Sequence, residues 1–227
     1  MEKKLIISIG TGRCGSVSLS SFLSSQEKMH ILHEGRLKNK RIRNLIKWEK
    51  DEERLFKWLD YLLYYNKNIE YVGDTGMYFL PYIESIIKKY NNVTIIGLIR
   101  NKKDVVDSFL KKTEGRNHWY IHNGEKWKID ERWDPCFPKY DIKEKRKAIE
   151  KYYDEYNKES KLLEERYPDK IKIWDLKDFN TIKTRNEILD FIHYNHERII
   201  NKDFKKNTRK KSIKELFLKK IKEWFSA

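Results

Sequence analysis

Cysteine is nearly absent from these 227 residues: Cys14 and Cys136 are the only two. Two thiols so far apart build no disulfide framework, so the fold must rest on an apolar core, and a reducing compartment is the expectation. Proline (4) and glycine (9) are scarce as well, which excludes collagen-like and low-complexity chains. No apolar run approaches the roughly 20 residues needed to cross a bilayer. Leu5–Ile9 is too short for the core of a secretory signal, and Arg13 follows at once. A cytoplasmic protein is therefore expected. Acidic side chains are also few: 35 Asp and Glu stand against 50 Lys and Arg, a formal net charge of +15. That imbalance favours an anionic partner, whether nucleotide, acidic polysaccharide, nucleic acid or membrane surface. A Lys-rich solvated surface would give the same number, so charge alone decides nothing.

What is present suffices for a core. Hydrophobic residues make up 39% of the chain and aromatics 14%, and the length suits one α/β domain over 1–227. Strand-like runs fall at Leu5–Ile9, Met29–His33, Ile69–Val72, Val93–Ile99 and Ile171–Trp174. Helical patterns lie between or after them, at Ser16–Ser25, Asp51–Tyr65, Phe79–Tyr90, Lys102–Lys112, Lys143–Arg166, Thr184–His193 and Ser212–Phe225. Alternating strands and helices predict a three-layer α/β/α domain with a mostly parallel central sheet. Residues 114–140 break the rhythm with aromatics, Pro135 and Pro138 but no period, as a lid or substrate loop does. The helix expected at 212–225 is basic and amphipathic; docking on the core and membrane association are its two readings.

The first strand runs into Gly10-Thr11-Gly12-Arg13-Cys14-Gly15-Ser16-Val17-Ser18. Glycines let a backbone turn tightly with its N–H groups inward, and a following helix adds its positive N-terminus, a geometry that grips phosphate or sulfate. A Walker A loop needs a lysine before the hydroxyl, and none stands there. The spacing also matches G-x-G-x-x-G, with Glu34 near the end of the second strand, so a Rossmann-type NAD(P)-dependent oxidoreductase is an alternative.

A second segment adds to the loop: Ile95-Ile96-Gly97-Leu98-Ile99-Arg100, then a helix carrying Ser108. Together the two segments resemble the nucleotide motifs of sulfotransferases that use 3′-phosphoadenosine-5′-phosphosulfate (PAPS). Gly73-Asp74-x-x-x-Tyr78, Trp133-Asp134-x-Cys136-Phe137-Pro138 and Tyr152-Tyr153 are similar to landmarks of bacterial and phage-type members, so the resemblance spans roughly residues 5–180. It implies a P-loop-like sulfotransferase fold and transfer of a sulfuryl group from PAPS to a hydroxyl, or second to an amine, with 3′,5′-diphosphoadenosine (PAP) as product and no metal. Under it, the N–H groups of Gly12, Arg13, Cys14, Gly15, Ser16 and Val17, with the Ser16 and Ser18 hydroxyls, hold the 5′-phosphosulfate. Arg13 stabilises charge on the bridging oxygen, and Arg100 with Ser108 takes the 3′-phosphate. The acceptor's base is implied to be Glu34, with His33 as alternate. A glycan acceptor reached over the basic surface fits that reading, with the aromatic segment Trp119–Trp133 stacking on its sugar rings.

Other candidates carry less. Asp74 ends the third strand and suits either the same edge or a helix N-cap. His118 with His122, and His193 with His196, have no cysteine or carboxylate at zinc-ligand spacing, though His118 lies where it can touch substrate. Cys14 suits a small packing residue better than a nucleophile. A basic nucleic-acid-binding module is a second alternative, but its aromatics would interleave with cations on an exposed platform, whereas here they fall at core-like spacing.

Overall fold

Strand β1 (Lys4–Ile9) is buried on both faces, and its alternation decides the layers. Leu5, Ile7 and Ile9 face one apolar cluster, whereas Ile6 faces another. In the computed structural model, which describes residues 3–37, 43–65, 68–201 and 204, β1 lies at the centre of a five-stranded, wholly parallel sheet. The remaining strands are β2 (Met29–His33), β3 (Tyr71–Thr75), β4 (Val93–Ile99) and β5 (Ile171–Asp175), in the order β2-β3-β1-β4-β5. Helices α2 (Glu52–Tyr65), α3 (Ile83–Lys89), α4 (Lys102–Lys112) and α5 (Lys145–Arg166) cover one face. Helices α1 (Ser16–Leu23) and α6 (Ile182–Phe191) cover the other. This is the expected three-layer α/β fold.

Local chemistry accounts for the elements. Leu55, Trp58, Leu59 and Leu62 recur at helical spacing and put one stripe of α2 in the core. Asn101 caps α4 by accepting the Asp104 N–H at 3.3 Å. Six of the seven residues Val93–Ile99 are β-branched or leucine, and the first six positions are buried, as an inner parallel strand requires. The helix expected at Phe79–Tyr90 is instead a 3₁₀ segment, Met77–Tyr82, leading into α3. Pro81 fits there because it has no N–H to donate. The expected third strand also moves, from Ile69–Val72 to Tyr71–Thr75, because polar Asp74 and Thr75 complete it.

Register fixes where chemistry can sit. His33 pairs with Thr75, Thr75 with Ser8, and Ile9 with Gly97. The glycine loop, Glu34, Thr75 and Arg100 therefore leave the sheet along one carboxyl edge, where parallel α/β sheets bind ligands. The sheet order is not Rossmann-like, since β3 separates β2 from β1, so the oxidoreductase alternative loses its topology. Among the described residues no helix is long and apolar enough to cross a membrane. The helix expected at 212–225 lies outside the described residues.

Candidate functional site

The loop between β1 and α1 is built on left-handed turns: φ is 81° at Gly12, 59° at Arg13 and 97° at Gly15. A side chain at Gly15 is doubly disfavoured, since a Cβ there would also meet Leu176. These dihedrals turn successive N–H groups to one side. Those of Arg13, Cys14, Gly15, Ser16 and Val17 have no main-chain partner among the described residues. From behind, α5 holds the loop by tyrosine hydroxyls. Tyr156 accepts the Gly10 N–H at 2.9 Å and donates to the Met77 carbonyl at 3.0 Å, while Tyr152 donates to the Thr11 carbonyl at 3.0 Å.

On one side of the loop two arginines converge. Arg13 Nε donates to Ser108 Oγ at 2.9 Å, and Arg100 Nη1 donates to the Arg13 carbonyl at 3.0 Å. Tyr153 fixes the start of the Arg100 turn by donating to its carbonyl at 2.7 Å. Burial pulls the Arg13 guanidinium below its ordinary value, the Glu34 charge works against that, and the Arg100 charge adds to it. Arginine stays protonated all the same. Three residues that the sequence singled out thus meet beside the loop.

Across the loop lies a second group at the end of β2. Ser16 Oγ is 3.1 Å from His33 Nε2, and His33 Nδ1 is 3.5 Å from Glu34 Oε2. Because an ionised carboxylate only accepts, we assign the ring proton to Nδ1, which leaves Nε2 to accept from Ser16. Burial, then the charges of Arg43, Arg13 and Arg36, hold His33 down at about 4, so the ring is neutral. Glu34 occupies a left-handed position with φ of 50° and is ion-paired to Arg43 Nη1. Burial raises its pKa, against the lowering charges of Arg43 and Arg13.

Asp74 lies beneath this turn and caps no helix. It is wholly buried, and its Oδ2 accepts from the Gly35 N–H at 2.9 Å and from Trp58 Nε1 at 3.0 Å. Oδ1 has no partner among the described residues. Burial pushes this carboxyl up to about 7 despite those bonds. Sequence reading missed Arg43, whose partner is set by the turn, and underrated Asp74 and Tyr156. A polar pair closing an apolar strand and a tyrosine one turn beyond Tyr152 were the available signals.

Other candidates separate from the site. The Cys14 side chain turns into the α1 cluster, 1% exposed, and burial raises its thiol to about 11, so only its main chain faces the loop interior. Ser18 is buried on α1. Trp119 is 0% exposed against Phe109, Phe137 and Tyr152, so it is a core residue and no stacking platform. Trp133 is half-buried, with Arg43 5.8 Å from its ring centre. His118 is tied to Asp134 at 2.6 Å and stacks on Phe137, and His196 pairs with Glu70. Among the described residues no cluster of His, Cys, Asp or Glu is arranged to hold a metal ion. Residues 114–140 are irregular apart from a 3₁₀ turn at Asp134–Cys136.

No family model matches the sequence, and no curated protein matches it. Among solved structures the fold is similar to that of a sulfotransferase from Alicyclobacillus acidocaldarius, with a TM-score of 0.53 and 12% identity. The likeness covers 100% of this chain and 92% of that one. At that identity it concerns the fold.

Proposed function

We propose that this chain is a sulfotransferase that takes its sulfuryl group from PAPS and passes it to a hydroxyl. The observation that carries the reading is the Arg13–Ser108 hydrogen bond beside the glycine loop, with Arg100 on the Arg13 carbonyl. Two motifs 95 positions apart thereby form one cationic cradle. The residues fit such a donor. Main-chain N–H groups without a main-chain partner suit the 5′-phosphosulfate, and the Arg100 guanidinium with the Ser108 hydroxyl suits a second phosphate by charge-assisted hydrogen bonds.

When bound, the donor supplies an electrophilic sulfuryl group: a new S–O bond forms to the acceptor oxygen, the bond to the 5′-phosphate oxygen breaks, and PAP leaves. The protein's part is positioning and charge stabilisation. The N–H groups of Arg13 to Val17 orient the phosphosulfate oxygens, and Arg13 offsets charge where the bond breaks. Arg100 and Ser108 anchor the 3′-phosphate. Glu34 takes the acceptor proton, and its raised pKa brings it nearer to a useful base at neutral pH. His33 is the weaker candidate, because its Nε2 is engaged by Ser16 and its basicity is depressed.

Thermal denaturation with PAP or NAD(H) tests the reading. A rise in melting temperature with PAP alone, lost in Arg100→Ala, is expected. A shift with NAD(H) instead, or one unchanged in Arg100→Ala, would refute the 3′-phosphate assignment.

A further inference from the structure

Arg36 carries a charge that no group in the described chain uses. It follows the Glu34–Gly35 turn and makes a main-chain bridge to Arg43. Its side chain is exposed and has no ion pair or hydrogen bond among the described residues. Arg36 and Arg43 stand opposite each other in that antiparallel bridge, so their side chains leave on the same face, and both charges, with that of Arg13, act on the His33 ring. Arg43 spends Nη1 on Glu34. A guanidinium offers five N–H donors in a planar fork, so one edge of Arg43 remains for a further acceptor. The Lys112 charge also reaches Glu34, from the end of α4.

These cations are not needed by the donor. Arg13 and Arg100 serve the cradle at the ends of β1 and β4, whereas Arg36 and Arg43 flank the end of β2, with β3 between. On that side Glu34 is a largely buried carboxylate ion-paired to Arg43 and under the Lys112 charge, and Arg36 stands opposite Arg43 across the bridge. Surplus positive charge beside the base favours an acceptor that brings its own anion over a neutral one. The half-buried indole of Trp133 beside Arg43 adds an apolar surface.

We propose that the acceptor is an acidic sugar, whose carboxylate or sulfate is bound between Arg36 and the free edge of Arg43 while a hydroxyl meets Glu34. This rests on the sulfuryl-transfer reading and specifies its acceptor. A uronic acid carries both groups on one ring, and a planar carboxylate matches the arginine fork.

The test is calorimetric titration of the full chain, saturated with PAP, using unsulfated chondroitin, heparin, neutral dextran and a single-stranded oligonucleotide. Chondroitin or heparin is expected to bind at least about tenfold tighter than dextran, and Arg36→Ala to lose about fivefold or more of that affinity. PAP affinity should be unchanged in Arg36→Ala. The double variant Lys158→Ala/Lys161→Ala, on the exposed side of α5, removes more charge and should matter less. Equal binding of dextran and the acidic glycans, including no binding of either, overturns the proposal. So does a loss in the α5 variant as large as in Arg36→Ala, or an oligonucleotide that binds as tightly with the same Arg36 dependence. If PAP itself fails to bind while the glycan preference persists, the donor reading fails and the anion site stands.

Discussion

Asp74 Oδ2 accepts the Gly35 N–H at 2.9 Å, and so the end of β3 holds the turn that presents Glu34. The same oxygen takes the Trp58 indole N–H. Asp74→Ala would leave both donors buried without a partner, at a cost of about 3 kcal/mol in stability. Asp74→Asn keeps one accepting oxygen and should cost about 1 kcal/mol or less. Urea unfolding of the two variants checks the difference. Equal losses would mean that the accepting oxygen kept in Asp74→Asn does not satisfy these donors, against the assignment.

The pH dependence of stability has two opposed contributions from this turn. His33 is held at about 4 in the fold, against about 6.5 unfolded, so the unfolded chain gains a proton first on acidification. Its contribution to stability is lost as pH falls from about 6.5 to about 4. Asp74 has the reverse sign: raised to about 7 from 3.8, it stabilises the fold as pH falls through the same range. The raised Glu34 adds to the carboxylate side. Asp74→Asn should therefore lose stability on acidification relative to the parent, by up to about 1.4 kcal/mol per pH unit. Urea midpoints at several pH values across that window measure it, and parallel curves would show that Asp74 does not titrate there.

If Glu34 accepts the acceptor's proton, the rate falls on acidification as Glu34 is protonated. Burial raises that group, so the acid limb of kcat should lie above the ordinary glutamate value of about 4.3. Glu34→Gln should lower the rate by about 10²–10⁴-fold while the PAP-induced melting shift remains. Full activity in Glu34→Gln would remove the assignment and leave His33 as the candidate.

The fold was largely legible because its signals are local. Met29–His33, Val93–Ile99 and Lys102–Lys112 begin and end where apolar runs and caps place them. The third strand was misread because its last residues are polar yet wholly buried, and their partners Gly35, Trp58 and Leu32 come from other elements of the chain. Trp119 looked available because residues 114–140 have no period, but it packs between Phe109 and Tyr152, which come from two separate helices. In the site, the loop and the Arg100–Ser108 pair were visible as motifs. The Glu34–Arg43 ion pair was not, since it depends on the two sides of a turn closing across Gly35 and Asn44, joined at 3.1 Å.

The tyrosine contacts behind the glycine loop bear on when its disorder is removed. Glycine-rich backbone is the costliest to immobilise, and a loop ordered only by its ligand would charge that entropy to the binding event. Here Tyr152 and Tyr156, carried on a helix of 22 residues, fix Gly10 and Thr11 within the folded chain itself. The entropy of these two residues is lost during folding, so the proposed donor would find them already ordered and would keep more of its contact energy as affinity.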